Sequence, residues 1–285
     1  MTSEPNPEMN IAFQGEPGAH SHLACRDAYP GMKILPCRTF EDVFDALTMG
    51  RARLAMIPIE NSLAGRVADI HSLLPDSGLF IIGELFQRIH HCLLGVKGSS
   101  LIGLERVYSH IQGLSQCRAV LRELNLKAEA YADTAGAARK VAGDNDPTSS
   151  AIASELAAEI YGLDILKRGI EDGGNNTTRF LVLSKQVQRP KVGSGPAITT
   201  FVFQVRNVAA ALYKAMSGFA TNGVNMTKLE SYQLGGSFRA TQFYADVEGH
   251  IDDKNVSLAM EELQFFTNKL TILGVYPAHP TRGLS

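Results

Sequence analysis

Residues 198–278 carry the most restrictive pattern in the chain. Ile198–Val205 reads as a strand, and Val208, Ala211, Leu212, Ala215 and Phe219 then fall on one helix face. Val224–Leu234 and Phe238–Glu248 read as strands joined by a tight turn at Gly235-Gly236. Val256, Met260, Leu263, Phe266 and Leu270 make a second helical stripe, with Asp253 or Asn255 placed to cap it. Thr271–Ala278 is the last strand. The order β-α-β-β-α-β predicts a ferredoxin-like unit.

The residues before it follow a different rule. Met9–Gln14, Lys33–Cys37 and Leu54–Ile59 are short apolar strands separated by helical stretches at Ala19–Tyr29 and Phe40–Leu47, and Val67–Leu74 is helical. Leu79–Phe86 and His90–Val96 read as two longer strands that begin a second lobe. There the alternation returns. Val107–His110 precedes a helix with Leu114, Cys117, Leu121 and Leu124 on one face, and Lys127–Tyr131 precedes the small-residue helix Thr134–Ala142. Ala151–Ala153 then precedes Glu155–Tyr161. Alternation of this kind predicts parallel sheets with helices on their faces. Two such lobes would enclose a cleft, a preferred place for small ligands. Gln186–Ala197, rich in Pro, Gly and Ser, reads as a linker. The expected fold class is therefore α/β, a two-lobed unit over 9–185, a linker over 186–197 and a ferredoxin-like unit over 198–280.

Composition removes several kinds of function. A net charge of −2 over 285 residues, with no basic run, gives no reason to expect nucleic acid or an acidic membrane. The polar, acidic first ten residues read as a frayed tail rather than a targeting segment. No apolar run approaches the roughly 20 residues of a membrane span. Cys25, Cys37, Cys92 and Cys117 are too few for a disulfide framework, and none form a C-x-x-C pair, which suits the cytoplasm. No metal-ligand spacing is present: His90 and His91, if in a strand, point to opposite faces.

Three polar clusters sit at predicted strand ends: Glu60-Asn61-Ser62, Ser109-His110-Ile111-Gln112 with Gln116 beyond, and Asn176-Thr177-Thr178-Arg179-Phe180. Singly, Glu60 and Ser109 read as helix caps or buried hydrogen-bonding groups. Arg179 beside Thr178 reads either as a surface Arg after a turn or as a forked donor for a carboxylate with a hydroxyl next to it.

Taken together, these stretches resemble prephenate dehydratase, from about Asn10 to Ala278. Asn176-Thr177-Thr178-Arg179-Phe180 resembles the family's N-x-T-R-F signature, which holds its essential Thr. Ile57-Pro58-Ile59-Glu60-Asn61-Ser62 resembles P-I-E-N-S, and Val107-Tyr108-Ser109-His110-Ile111-Gln112 with Gln116-Cys117 resembles V-Y-S-H-P-Q…Q-C. Gln14-Gly15-Glu16-Pro17-Gly18-Ala19-His20-Ser21 resembles Q-G-x-x-G-x-Y-S. Ala151–Ser154 and Ile160–Leu163 match as well.

The resemblance implies two lobes like those of periplasmic binding proteins, a C-terminal ACT domain, and a monofunctional chain. It implies conversion of prephenate to phenylpyruvate, CO2 and water in phenylalanine biosynthesis, with no cofactor and no metal. In that reaction Thr178 would donate to the departing hydroxyl and Arg179 would hold a carboxylate. Asn61, Ser109, Gln116 and Asn176 would be neutral donors around the substrate, Glu60 would orient its neighbours, and Phe180 would be core with a ring contact. L-Phenylalanine is the expected effector, at Ala210, Ala211, Leu212, Asn225, Leu229, Glu230 and Ser231, in a homodimer or homotetramer.

The chain departs from the family's pattern in places. Ile111 stands where Pro is usual. The G-A-L segment appears as Ala209-Ala210-Ala211-Leu212 without its Gly, and E-S-R-P appears as Glu230-Ser231-Tyr232-Gln233. The changes leave open another aromatic amino acid as effector, or an ACT domain that only joins subunits. Arogenate as substrate, or an aromatic amino-acid sensor without turnover, are the competing readings.

Overall fold

The computed structural model describes residues 9–206, 208–233 and 240–283. The expected N-terminal tail up to residue 8 and the Gly235-Gly236 turn lie outside them. In chain order the elements are β1 (Asn10–Gln14), α1 (His20–Ala28), β2 (Lys33–Cys37), α2 (Phe40–Thr48), β3 (Leu54–Asn61), β4 (Gly65–Arg66), α3 (Ala68–Leu73) and β5 (Phe80–Arg88). Then come β6 (Cys92–Gly95), β7 (Arg106–Ser109), α4 (Ile111–Gln116), α5 (Arg118–Glu123), β8 (Lys127–Ala130), α6 (Thr134–Asp144), β9 (Ser149–Ala153), α7 (Glu155–Tyr161) and β10 (Asp164–Arg168). The last are β11 (Thr177–Ser184), β12 (Ala197–Val205), α8 (Ala211–Thr221), β13 (Met226–Gln233), β14 (Ala240–Glu248), α9 (Lys254–Phe266) and β15 (Thr267–Pro277).

The chain divides into two compact units that do not follow sequence order. One is Met1–Val67 with Leu85–Phe180, and the other is Ala68–Glu84 with Leu181–Ser285. Residues 68–84, which the sequence pattern divides between the end of the first lobe and the start of the second, thus belong with the C-terminal unit.

The first unit has two sheets. In one, β1 lies between β2 and β3, parallel to both. β11 flanks β3 on its other side. Ile11, Ala12, Phe13, Met56 and Ile57 are fully buried, as Val/Ile-type runs of a two-sided sheet should be. Thr39 and Asp42 close a capping box that starts α2, which buries Val43, Phe44, Ala46 and Leu47.

The second sheet has the order β10-β6-β9-β7-β8. β9 is buried throughout because both its faces are covered. Ala151 and Ala153 join the cluster of Ala137, Val141 and Ala157 from α6 and α7, while Ile152 joins Leu114, Cys117 and Val120. The sequence stripe Leu114–Leu124 predicts one helix there; the structure has two, broken at Cys117. Asp172 causes the break to be stable, because its carboxylate accepts from the Arg118 and Ala119 amides at 2.9 Å and satisfies the start of α5.

In the second unit, β12-α8-β13-β14-α9-β15 forms the expected ferredoxin-like arrangement, with strand order β13-β14-β12-β15 and antiparallel neighbours. Phe201, Phe203, Phe219, Phe243, Val256 and Leu263 fill the space under α8 and α9. Asp253 stands at the N-cap of α9, but its carboxylate accepts from the His250 amide instead of capping the helix. No helix among the described residues is long and apolar enough to cross a membrane.

Candidate active site

β3 and β11 end side by side, and their ends are tied by reciprocal bonds. The Ser62 amide donates to the Thr177 carbonyl at 2.9 Å, and the Thr177 amide donates to Ser62 Oγ at 3.0 Å. Ser62 Oγ in turn donates to the Asn175 carbonyl at 2.6 Å. Two stretches more than a hundred residues apart in sequence are thereby fixed in register.

Within this frame the amide of Asn61 has only one possible orientation. Its Oδ1 accepts from the Leu63 and Ala64 amides at 3.0 and 2.9 Å. Backbone N–H groups cannot accept, so Nδ2 must face the other way. It donates to Thr178 Oγ1 at 2.9 Å and to Asn176 Oδ1 at 2.7 Å. Asn176 Nδ2 then donates to Gln116 Oε1 at 2.9 Å. Asn176 stands just before β11 and two residues ahead of Thr178, and Asn61 reaches both. A cavity of about 590 Å³ adjoins the chain of amides, lined by Leu63, Ala64, Gln112, Ser115, Gln116, Asp172 and Gly173.

Thr178 Oγ1 therefore receives a hydrogen bond and must place its own proton elsewhere. Among the described residues no imidazole or carboxylate bonds to it. The hydroxyl is set up to donate, not to be deprotonated.

Asn61, Gln116, Asn176 and Thr178 come together as a set; the other named residues go elsewhere. Arg179 projects from the opposite face of β11, is 3% exposed, and donates to Glu60 Oε1 at 3.1 Å. A buried guanidinium needs such a partner, so Arg179 holds Glu60, and the geometry gives no support to its grip on a substrate carboxylate. Ser109 is fully buried and donates to the Ile152 carbonyl at 2.7 Å, which makes it a link between β7 and β9 rather than a donor to the cavity. Phe180 is 1% exposed and is core.

The sequence reading missed His20, His91 and Glu171. His90 and His91 are not in a strand but in the connection from β5 to β6. Glu171 gathers both, taking His90 Nδ1 at 2.9 Å and the His91 amide at 3.0 Å. The His91 ring, 3% exposed, bonds Gln116 Oε1 through Nε2 at 3.0 Å and meets the His20 ring edge-on at 5.3 Å. The available signal was His20 itself, standing where the Q-G-x-x-G-x-Y-S pattern has Tyr.

His20 is partly exposed as a residue, yet both its ring nitrogens are sealed from solvent without a hydrogen-bond partner. Burial lowers its pKa to about 3, helped by His91 and His90 and opposed by Glu171. Burial likewise lowers His91. Both imidazoles are neutral in the folded protein near pH 7. The unfolded chain takes up protons near pH 6.5 and the folded chain does not, so stability is full above 6.5 and declines as pH falls toward about 3. At pH 5 His20 alone should cost roughly 2 kcal/mol. Thermal melts at pH 7.5 and 5 should show the loss, and His20→Tyr should narrow the gap between them. An unchanged gap would mean that His20 is not held neutral.

The expected effector residues lie in the second unit. Ala211 and Leu212 begin α8 and pack against its core. The Asn225 carbonyl accepts from the Glu248 amide at 3.0 Å. Leu229 and Ser231 are exposed on β13, the end strand of the sheet, and Glu230 pairs with Lys228 at 3.4 Å. Ala210, at the N-cap of α8, has φ 59° and ψ 20°. That is left-handed backbone, which Gly adopts freely and Ala only at a steric cost. Ala210→Gly should raise stability by roughly 0.5–1 kcal/mol, read as a higher midpoint in urea; a lower midpoint would contradict the strain.

Fold and site together define a two-lobed α/β protein with a cavity beside a row of neutral donors, joined to a ferredoxin-like unit. The family profile of prephenate dehydratase (PDT) matches residues 11–188, and the chain belongs to that family. It is 53% identical over 278 residues to a bifunctional N-acyl-homoserine lactone acylase/prephenate dehydratase of Komagataeibacter europaeus, covering 97% of this chain and 99% of that one. It is 38% identical over 289 residues to the chloroplastic arogenate dehydratase 3 of Arabidopsis thaliana, covering 96% of this chain and 68% of the other. The crystal structure of the prephenate dehydratase of Arthrobacter aurescens in complex with L-Phe superposes with a TM-score of 0.86 at 28% identity, covering 94% and 90% of the two chains.

Proposed function

We propose that the protein converts prephenate to phenylpyruvate, CO2 and water, with Thr178 as the donor to the departing hydroxyl. The bond from Asn61 Nδ2 to Thr178 Oγ1 carries this reading, because it leaves the Thr178 proton for a substrate oxygen. The ring carboxylate loses CO2, its bonding electron pair enters the ring, and the ring C–O bond breaks to release hydroxide. Aromatisation makes the step downhill, so the protein needs only to align the ring and stabilise the charge growing on oxygen. Thr178 and the Gln116 amide are the donors for that oxygen. A Thr hydroxyl acts here as a fixed hydrogen-bond donor, and solvent neutralises the hydroxide. The ring carboxylate loses its charge as CO2 leaves, so a strong cationic clamp on it would favour the ground state. The burial of Arg179 against Glu60 fits that requirement.

Two other substrates follow from relatives. Arogenate differs from prephenate in an amino group for a keto group, and the reaction at the ring is the same. Hydrolysis of an acyl-homoserine lactone amide would need a nucleophile with a base beside it. Thr178 has an amide N–H there, which favours dehydration. We further propose that L-phenylalanine binds the ferredoxin-like unit as an ACT-type effector, and that this unit joins subunits into a homodimer or homotetramer. The four buried, unpaired thiols suit a reducing cytoplasm. The test is turnover of prephenate, arogenate and an N-acyl-homoserine lactone by the purified chain, with and without phenylalanine. Phenylpyruvate from prephenate, read by absorbance in base, supports the main reading. Phenylalanine formed only from arogenate would change the substrate, and amide cleavage alone would overturn the dehydratase assignment.

A further inference from the structure

A primary amide can present either its oxygen or its NH2, and only its partners decide which. For Gln116 they are Asn176 and His91, neither of which is among the residues that line the cavity. Asn61 is oriented by two backbone N–H groups, and it orients Asn176, whose Nδ2 faces Gln116. The Gln116 atom that meets Asn176 must then be Oε1. His91 Nε2 lies 3.0 Å from the same oxygen, so it too must bring a proton. This defines the tautomer: His91 carries hydrogen on Nε2 and none on Nδ1, which has no hydrogen-bond partner. The ring is held from behind, because Glu171 Oε2 binds the His91 amide and His20 closes over the ring edge.

We propose that His91 is a positioning residue for the dehydration. Its Nε2–H supplies the second bond to Gln116 Oε1, fixes the plane of that amide, and turns both Gln116 N–H groups toward the substrate. This rests on the dehydratase reading of the site. One bond from Asn176 leaves the Gln116 amide free to swing about that contact; two bonds from different directions do not.

The experiment is a double-mutant cycle with a spectroscopic control. His91→Phe keeps a ring of similar size and removes the donor. It should lower kcat by roughly tenfold to a hundredfold with KM within about threefold. In a Gln116→Ala background the same substitution should change kcat less than about threefold, because the residue it acts through is gone. His91→Gln, which restores an N–H donor and guards against a folding defect, should recover most of the loss. Losses that multiply in the double variant would overturn the proposal. Long-range proton–nitrogen spectra of the His-labelled chain should show His91 as the neutral Nε2–H form; an Nδ1–H form would overturn it without any assay. If the wild-type chain turns over neither prephenate nor arogenate, the dehydratase reading fails and with it the catalytic role, while the spectrum decides separately whether His91 holds Gln116.

Discussion

Thr178→Ala is expected to lower kcat for prephenate by roughly 10²–10⁴-fold while KM changes little. The size follows from where the charge appears. In the bound substrate the ring hydroxyl is neutral, and a hydrogen bond to it is of ordinary strength. As the C–O bond breaks, that oxygen becomes anionic, and the same hydrogen bond becomes charge-assisted and strengthens. An interaction stronger in the transition state is read in kcat rather than KM. The donor is also prepared in advance. Asn61 occupies a lone pair of Thr178 Oγ1 and is itself held by the Leu63 and Ala64 amides, so the hydroxyl has no reorganisation to make. Thr178→Ser keeps the hydroxyl and should retain most activity. A Thr178→Ala enzyme with wild-type kcat would remove Thr178 from the chemistry.

Arg282→Ala is expected to destabilise the C-terminal unit by about 3–5 kcal/mol. Glu84 and Asp246 have fully buried side chains, and Arg282 meets both. Its Nε and Nη2 donate to the two Glu84 carboxylate oxygens at 2.6 and 2.9 Å, a forked geometry, and Nη2 lies 3.8 Å from Asp246 Oδ2. The His279 amide adds a donor to Glu84 at 3.0 Å, and Thr200 adds one to Asp246 at 2.7 Å. Removing the guanidinium takes the forked cationic partner from the buried Glu84 carboxylate, and the loss of that pairing sets the cost. Arg282→Lys should recover only part of it, because an ammonium cannot bond both Glu84 oxygens in one plane. Chemical denaturation measures the effect; a loss below about 1 kcal/mol would mean that the Arg282 fork is not what holds the Glu84 carboxylate.

The ferredoxin-like order was legible because each element carries its own period: the stripe Val256, Met260, Leu263 repeats as a helix whatever surrounds it. The parallel pairs of β1 with β2 and β3 and of β7 with β8 and β9 were legible for the same reason, whereas β6 runs antiparallel to both β9 and β10, against the expectation of a parallel sheet. Failures began where a local pattern needed a distant partner. The stripe from Leu114 to Leu124 has the period of one helix, and Asp172, far along the chain, makes it two. Residues 68–84 carry no mark that assigns them to the C-terminal unit. Ser109 and Arg179 look like donors in sequence, since a hydroxyl or guanidinium reads the same whether it faces a ligand or a buried carbonyl. Ala210 gives no sign in the sequence of the left-handed backbone, φ 59°, that it adopts in the fold.

By itself the sequence determined which side chains were available and the local structure each would enter, because helix and strand periods and turn chemistry act over a few residues. It also determined the family, through motifs in order. Only the tertiary structure decided which donors face the same space and which way round each amide stands. Those are settled by hydrogen-bond partners such as Asn61 with Thr178 and His91 with Gln116, brought within 3 Å across intervals that no local rule of the chain can see.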